Sequence, residues 1–238
     1  MISVFRSALS LLKERSVPLW IYAFLFLAST LLAGLSSDHF ENADGDVPDL
    51  FLLVGLPAFL ANIVAFWFLI RKLGNANSAG SVIGWIAWSI PIAFVYGILL
   101  IFWLEAPIDV EEISWPAFWA MEALLIASSL AIGCPFLLVS TGRVLDTFGP
   151  SVWKIFLALR GSFLSFFTAV FGSYFAGYFC YEAFRTNFGL VANNDLQAFL
   201  IASIGGIFEF LAIISVTAVS VVVYQKVERE LAGQAASL

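Results

Sequence analysis

From residue 196 to residue 224 the chain reads LQAFLIASIGGIFEFLAIISVTAVSVVVY, and Glu209 is the only ionisable side chain in it before the closing Tyr224. Wound as a helix at about 1.5 Å per residue, this run is about 43 Å long. A hydrocarbon core is roughly 30 Å thick, so the run crosses a bilayer even when tilted. A carboxylate at that depth costs about 2.5–3.5 kcal/mol on insertion scales, and it must face protein or water rather than acyl chains. The rest of the chain follows suit. It is 61% hydrophobic and 12% charged over 238 residues, too little polar surface to cover a water-soluble core. The apolar residues come in long blocks separated by short polar segments, which predicts an all-α, polytopic transmembrane bundle. Short alternating strands, the mark of a barrel, are missing. The net charge of −6 argues against a nucleic-acid partner, which needs a basic patch.

Six spans are expected as a single membrane domain, at about 17–35, 50–70, 82–104, 117–139, 162–184 and 196–224. Residues 1–15 precede them as an amphipathic segment with Ile2, Phe5, Leu9 and Leu12 near one face. They read as a retained interfacial helix on an anionic leaflet rather than a signal peptide, because the apolar run after them is too long for an h-region. The segment after the first span, SSDHFENADGDVPD, is an acidic loop without the ligand spacing of a calcium-binding loop. Pro91 predicts a kink in the third span and Pro135 a break near the end of the fourth. The stretch STGRVLDTFGPSVWKIFLALR is expected at the interface.

Of the 11 Lys and Arg, only Arg185 falls on the side opposite the rest. Cations stay on the cytoplasmic side of a span, so both termini are placed there. The acids mirror them: Asp38, Glu41, Asp44, Asp46 and Asp49 lie in one outer loop, and Glu105, Asp109, Glu111 and Glu112 in another. A weak repeat also shows. SALSLLKERSVPLWIYAFLFL, SAGSVIGWIAWSIPIAFVYGI and SVWKIFLALRGSFLSFFTAVF each put a helix-like lead-in before an odd-numbered span. Three pseudo-repeated helical hairpins about a threefold axis are the expectation.

The lead-in SALSLLKERSVPLWIYAFLFL and the ending SVTAVSVVVYQKVERELAG, with Tyr224 to Val227 as its tail motif, resemble a loose family of six-span bacterial membrane proteins. It includes the membrane domain fused to some glycerophosphoryl diester phosphodiesterases, and stand-alone relatives. The resemblance implies a location in the bacterial inner membrane. It covers the layout of most of the chain and carries no active-site residue across, since no soluble segment here holds the phosphodiesterase's metal-binding acids.

Glu209 and Asn62 are the polar groups closest to the midplane, on the sixth and second spans. Two readings stand. They meet in a cavity that binds a proton, an ion or a polar head group, or they join helices through hydrogen bonds with Glu209 uncharged. Glu122, near the outer face of the fourth span, reads as an interfacial or snorkelling acid before a pathway residue. Gly172, Ala176 and Gly177 in the fifth span, and Gly205 and Gly206 in the sixth, are expected to allow close helix packing. Ser128, Ser129, Ser140, Thr141 and Thr217 are expected to bond back to their own helices. Cys134 and Cys180 read as small hydrophobes. No metal, cofactor or catalytic set is expected: the single His39 builds no cluster, and no phosphate loop or nucleophile–base pair is present.

The balance favours a non-enzymatic membrane scaffold or accessory subunit, its partners being membrane lipids and another integral membrane protein. A small transporter or lipid-handling protein using Glu209 and Asn62 is the alternative. The topology has a direct test. An impermeant maleimide applied to intact cells is expected to modify a cysteine placed at Asp44 and to spare one placed at Ser237; the reverse pattern overturns it.

Overall fold

Apolar runs without Gly or Pro punctuation satisfy their own backbone groups only as helices when no water is at hand. The computed structural model describes residues 2–40, 56–76, 80–104, 115–146, 150–187 and 195–236. The acidic stretches after residue 40 and residue 104 lie outside the described residues. Within them the chain forms α1 (Ile2–Glu14), α2 (Ser16–Phe40), α3 (Leu56–Leu73), α4 (Val82–Leu104), α5 (Trp115–Leu145), α6 (Val152–Leu159), α7 (Phe163–Asn187) and α8 (Asp195–Ala236). Among the described residues, three stretches are long and apolar enough to cross a membrane, Trp119–Leu145, Phe163–Tyr181 and Ser203–Gly233, and Ser16–Ala28 and Val82–Ile92 are shorter apolar ones.

Several boundaries differ from expectation. α2 continues through Asp38 to Phe40, so the first residues of the acidic segment are helical. α5 passes Pro135 without ending, and takes in Ser140, Thr141, Gly142 and Arg143, which the sequence assigned to an interfacial stretch. Only Val152–Leu159 of that stretch forms a separate amphipathic helix. Pro91 likewise sits inside α4. Membrane helices tolerate such prolines because neighbouring groups take up the freed carbonyl. Pro18 acts differently. Its ring crowds the carbonyl four residues back, that of Glu14, and cannot donate to it; α1 ends at that residue.

The surface is as oily as the interior. Along α4, Ile83, Ile86, Ile90, Phe94, Ile98 and Ile101 form one outward stripe, Ile83 at 82% exposure. In water a stripe like this is an aggregation hazard. In a bilayer it is the ordinary lipid face. The interior holds the hydroxyls instead: Ser129, Ser140, Thr141, Thr217 and Ser220 are buried. Each donates to its own helix, Ser129 to Leu125 O at 2.8 Å, Ser140 and Thr141 to Leu137 O at 2.9 and 2.8 Å, Thr217 to Ile213 O at 2.7 Å and Ser220 to Val216 O at 2.8 Å. This is the back-bonding expected of Ser129, Ser140, Thr141 and Thr217.

Consecutive helices pair: α2 with α3, α4 with α5, α7 with α8. The second members, α3, α5 and α8, all touch one another, while α2 lies on α8 and α7 on α5. Phe66 of α3 meets Trp85 of α4 with ring centroids 5.7 Å apart. α1 lies on α8. It buries Ala8, with Val4, Phe5, Leu11 and Leu12 alongside, and leaves Ile2 and Leu9 exposed. The small Ala8 permits that close seat, so the inward stripe is offset from the one the sequence suggested.

The fully buried side chains gather at one end of the bundle: Leu69 and Leu73 of α3, Leu138 and Val144 of α5, Phe166 of α7, Tyr224 of α8. There α3 closes with Asn75 in the left-handed region at φ 52. The Ala76 N–H donates to Arg71 O at 3.0 Å and the Asn75 N–H to Lys72 O at 3.4 Å, a Schellman closure. The last carbonyls of α5 are taken by its neighbours. The Ser81 N–H donates to Arg143 O at 2.8 Å and Arg71 Nη1 to Val144 O at 3.0 Å. Ser81 in turn caps α4, its Oγ accepting from the Gly84 N–H at 2.9 Å. Gln225 Nε2 of α8 donates to Gly74 O at 3.0 Å, and Arg15 Nη2 to Asn75 Oδ1 at 3.3 Å. Gly80 lies against the Val144 carbonyl where no Cβ fits, and Gly142 against the Tyr224 ring.

The last contact generates a test. Gly142→Ala pushes a methyl into the Tyr224 ring and is expected to cost about 1–3 kcal/mol. Gly97→Ala, whose added Cβ meets nothing within 4 Å, is expected to cost nothing. Thermal unfolding midpoints in mild detergent check this, and equal midpoints remove the Tyr224 contact from the core.

Candidate functional site

Glu209 lies about 22 Å along α8 from Tyr224, beyond the tightly packed end. Across from it, α7 presents Tyr174, Gly177, Tyr178 and Tyr181, spaced i, i+3, i+4, i+7 and therefore on one stripe. α8 answers with Gly205, Gly206, Glu209, Ala212 and Ile213. The two stripes bound a cleft of about 450 Å³.

Glycine sets the approach. A Cβ at Gly177 would sit 2.8 Å from Ala212 Cβ and 3.1 Å from Phe208 O, and one at Gly205 would sit 3.0 Å from the Tyr181 ring. The helices thus nearly touch at Gly177, and the larger tyrosines on either side of it hold the cleft open. Tyr178 also meets Trp119 of α5 edge-on, with centroids 5.8 Å apart. On the opposite flank of α8, Phe210 stacks on Tyr22 of α2 at 5.8 Å, and Tyr22 is within electrostatic reach of Glu209.

Glu209 itself is exposed. Among the described residues it has no hydrogen bond or ion pair, and Tyr22 interacts with it electrostatically. The site therefore offers one carboxyl group with free acceptor capacity, three phenols and an apolar wall. That set suits a cation, or a donor group carried on an apolar body, since a carboxylate attracts the charge and aromatic faces attract it again.

The other expected residues divide, Gly177, Gly205 and Gly206 lining the cleft with Glu209. Asn62 is helical in α3, but its side chain lies outside the described residues. Glu122 is half-buried on α5 and does not line the cleft. Gly206 is buried at the cleft wall. Gly172 and Ala176 do not share the packing role of Gly177: a Cβ at Gly172 meets nothing within 4 Å, and Ala176 is exposed. Cys134 is buried and Cys180 exposed, both as free thiols. Among the described residues no group of His, Cys, Asp and Glu is arranged to hold a metal ion. The tyrosine stripe is the part that sequence reading missed, although its 174/178/181 spacing is a helical signal in its own right.

Comparison with protein-family models, curated proteins and solved structures finds no match for this chain.

The close approach is testable. Gly177→Val is expected to cost about 1–3 kcal/mol by overpacking, whereas Gly172→Val is expected to be tolerated. Because the obstructing atom is Ala212 Cβ, Ala212→Gly is expected to return part of the loss in the double variant. Unfolding midpoints of the four proteins decide it, and additive losses would place the contact elsewhere.

Proposed function

We propose that this chain is an integral membrane protein that binds a lipophilic cation at Glu209, in the role of a small transporter or lipid-handling protein rather than a passive scaffold. The observation that carries this reading is the exposure of Glu209 in an aromatic-lined cleft. A scaffold whose deep acid only joined helices would keep that acid hydrogen-bonded between them. At about 450 Å³ the cleft is within the usual range for small-molecule sites, roughly 300–1,000 Å³. Beyond its inner end, toward Tyr224, the packed core of Phe166, Val170 and Val219 closes the bundle. The cleft thus serves one side of the bundle only, as a binding state in an alternating cycle requires.

The proposal includes the finer architecture. Six spans form three hairpins, α2–α3, α4–α5 and α7–α8, with the second arm of each at the centre. The packing of α2 on α8 and of α7 on α5, with a single ring contact between Phe66 of α3 and Trp85 of α4, supports a pseudo-threefold arrangement. α1 and α6 are the lead-ins to the first and third hairpins. In the second, the corresponding residues are continuous with α4. Arg15, Arg71, Arg143 and Lys226 converge on the packed end through the contacts of Asn75, Val144, Ser81 and Ser162. This supports a bacterial inner-membrane topology with both termini cytoplasmic and the Glu209 cleft turned outward.

Tetraphenylphosphonium is a suitable probe, because it is lipophilic, permanently charged and larger than any metal ion. The detergent-solubilised protein is expected to bind it, and Glu209→Gln to weaken binding about tenfold, the value of one partly desolvated charge contact of about 1.4 kcal/mol. Equilibrium dialysis with the labelled cation reads this directly. Equal binding by wild type and Glu209→Gln, or no binding by wild type, overturns the assignment.

A further inference from the structure

A second cavity, of about 400 Å³, lies at the packed end between α5, α6 and the start of α7. Its wall is apolar: Pro135 of α5, Trp153, Phe156 and Leu157 of α6, and Phe163 of α7. Arg160, at the C-terminus of α6, is the one charged residue among those lining it. A second cation reaches the same turn from another helix, for Lys226 Nζ of α8 donates to Ser162 Oγ at 3.3 Å. Glu230 stands 3.7 Å from Lys226 and offsets part of that charge. Trp153 is 71% exposed at the cavity rim, the position of an interfacial aromatic anchor.

From Phe163 the apolar wall continues up α7 as a ladder. Phe163, Phe167, Phe171, Phe175 and Phe179 follow one another at four-residue steps, with ring centroids 6.1, 5.9, 5.4 and 6.0 Å apart and near-parallel planes. The ladder rises about 24 Å, more than one leaflet's half of a hydrocarbon core of roughly 30 Å. Cations at the membrane surface and an unbroken apolar track running inward from them match a molecule with an anionic head and a long hydrocarbon chain. A cavity at the junction of α1 and α2 is walled by Val17, Ile21 and Phe68 and flanked by Arg15 and Lys72, but Glu14 lines it as well and offsets part of their charge.

We propose that the groove between α5, α6 and α7 is a binding site for an anionic phospholipid of the adjoining leaflet. The phosphate sits at the turn between Arg160 and Lys226. One acyl chain lies against Pro135, Phe156 and Phe163 and then along Phe167 and Phe171. This site is separate from the Glu209 cleft: its charge has the opposite sign, and it stands whether or not that cleft binds cations.

Trp153 reports on the groove. In reconstituted vesicles its emission, taken as the difference between wild type and Trp153→Phe, is quenched by lipids brominated on the acyl chain. At equal low mole fraction, brominated phosphatidylglycerol is expected to occupy the groove at least about fivefold more than brominated phosphatidylcholine, the preference that a single interfacial cation supplies. Arg160→Gln with Lys226→Gln is expected to bring the ratio to one. Equal quenching by the two lipids in wild type overturns the proposal without recourse to any charge variant. A preference that persists in a folded double variant, verified by its circular dichroism, also overturns it, because the phosphate would then be held elsewhere.

Discussion

A helix that ends against its neighbours leaves up to four carbonyls without partners of its own, and those that packing shields from water need partners from the protein. The termini of α3 and α5 meet this constraint by borrowing from each other. Arg71 crosses to Val144 O, Ser81 gives its N–H to Arg143 O, and Gln225 of α8 reaches Gly74 O. Two of these bonds join helices of different pairs, α3 to α5 and α8 to the end of α3, so satisfying the backbone there also assembles the bundle. The glycines follow from this. A chain that must lay its turn across the Val144 carbonyl has room only for Gly80, and a phenol packed flat on a helix end needs Gly142 beneath it. Hydrogen bonds left unmade here would cost far more than the same bonds gain in water.

That end of the molecule is therefore dense, and the consequence is felt at the other. Glu209 lies beyond the last layer of fully buried side chains, where α7 and α8 touch at Gly177 and part around three tyrosines. The same helix pair packs tightly at Phe166 and Val219 and opens a cleft at Tyr178 and Glu209. A site set on rigid elements keeps its geometry without a loop to order on binding, which lowers the entropic cost of recognition.

The sequence declared most of this architecture through hydropathy. α4 was located to the residue, since the run from Val82 to Leu104 is apolar throughout. α5 was not. Ser140, Thr141, Gly142 and Arg143 carry the composition of a loop, but two of them back-bond to Leu137, one makes room for Tyr224 and the last belongs to a shared terminus, and none of these partners is visible along the chain. Glu209 was legible because a lone acid in an apolar run has no background to hide in. Tyr174, Tyr178 and Tyr181 were not, because a chain with 25 Phe masks three more aromatic rings. Small residues misled in the opposite sense. Gly172 and Gly177 look alike on paper, yet a Cβ at Gly177 would run into α8 while one at Gly172 meets nothing within 4 Å.

The seat of α1 on α8 has a consequence for biogenesis. The ribosome adds roughly 5–20 residues per second, so α1 waits roughly 10–40 s before Asp195–Ala236 exists to receive it. Through that interval Val4, Phe5, Leu11 and Leu12 need another cover, and an amphipathic segment bearing Arg6 and Lys13 finds one on the lipid surface. The nascent chain would first spread that segment along the bilayer and later trade lipid for protein, which makes the arrival of the final helix the step that releases it.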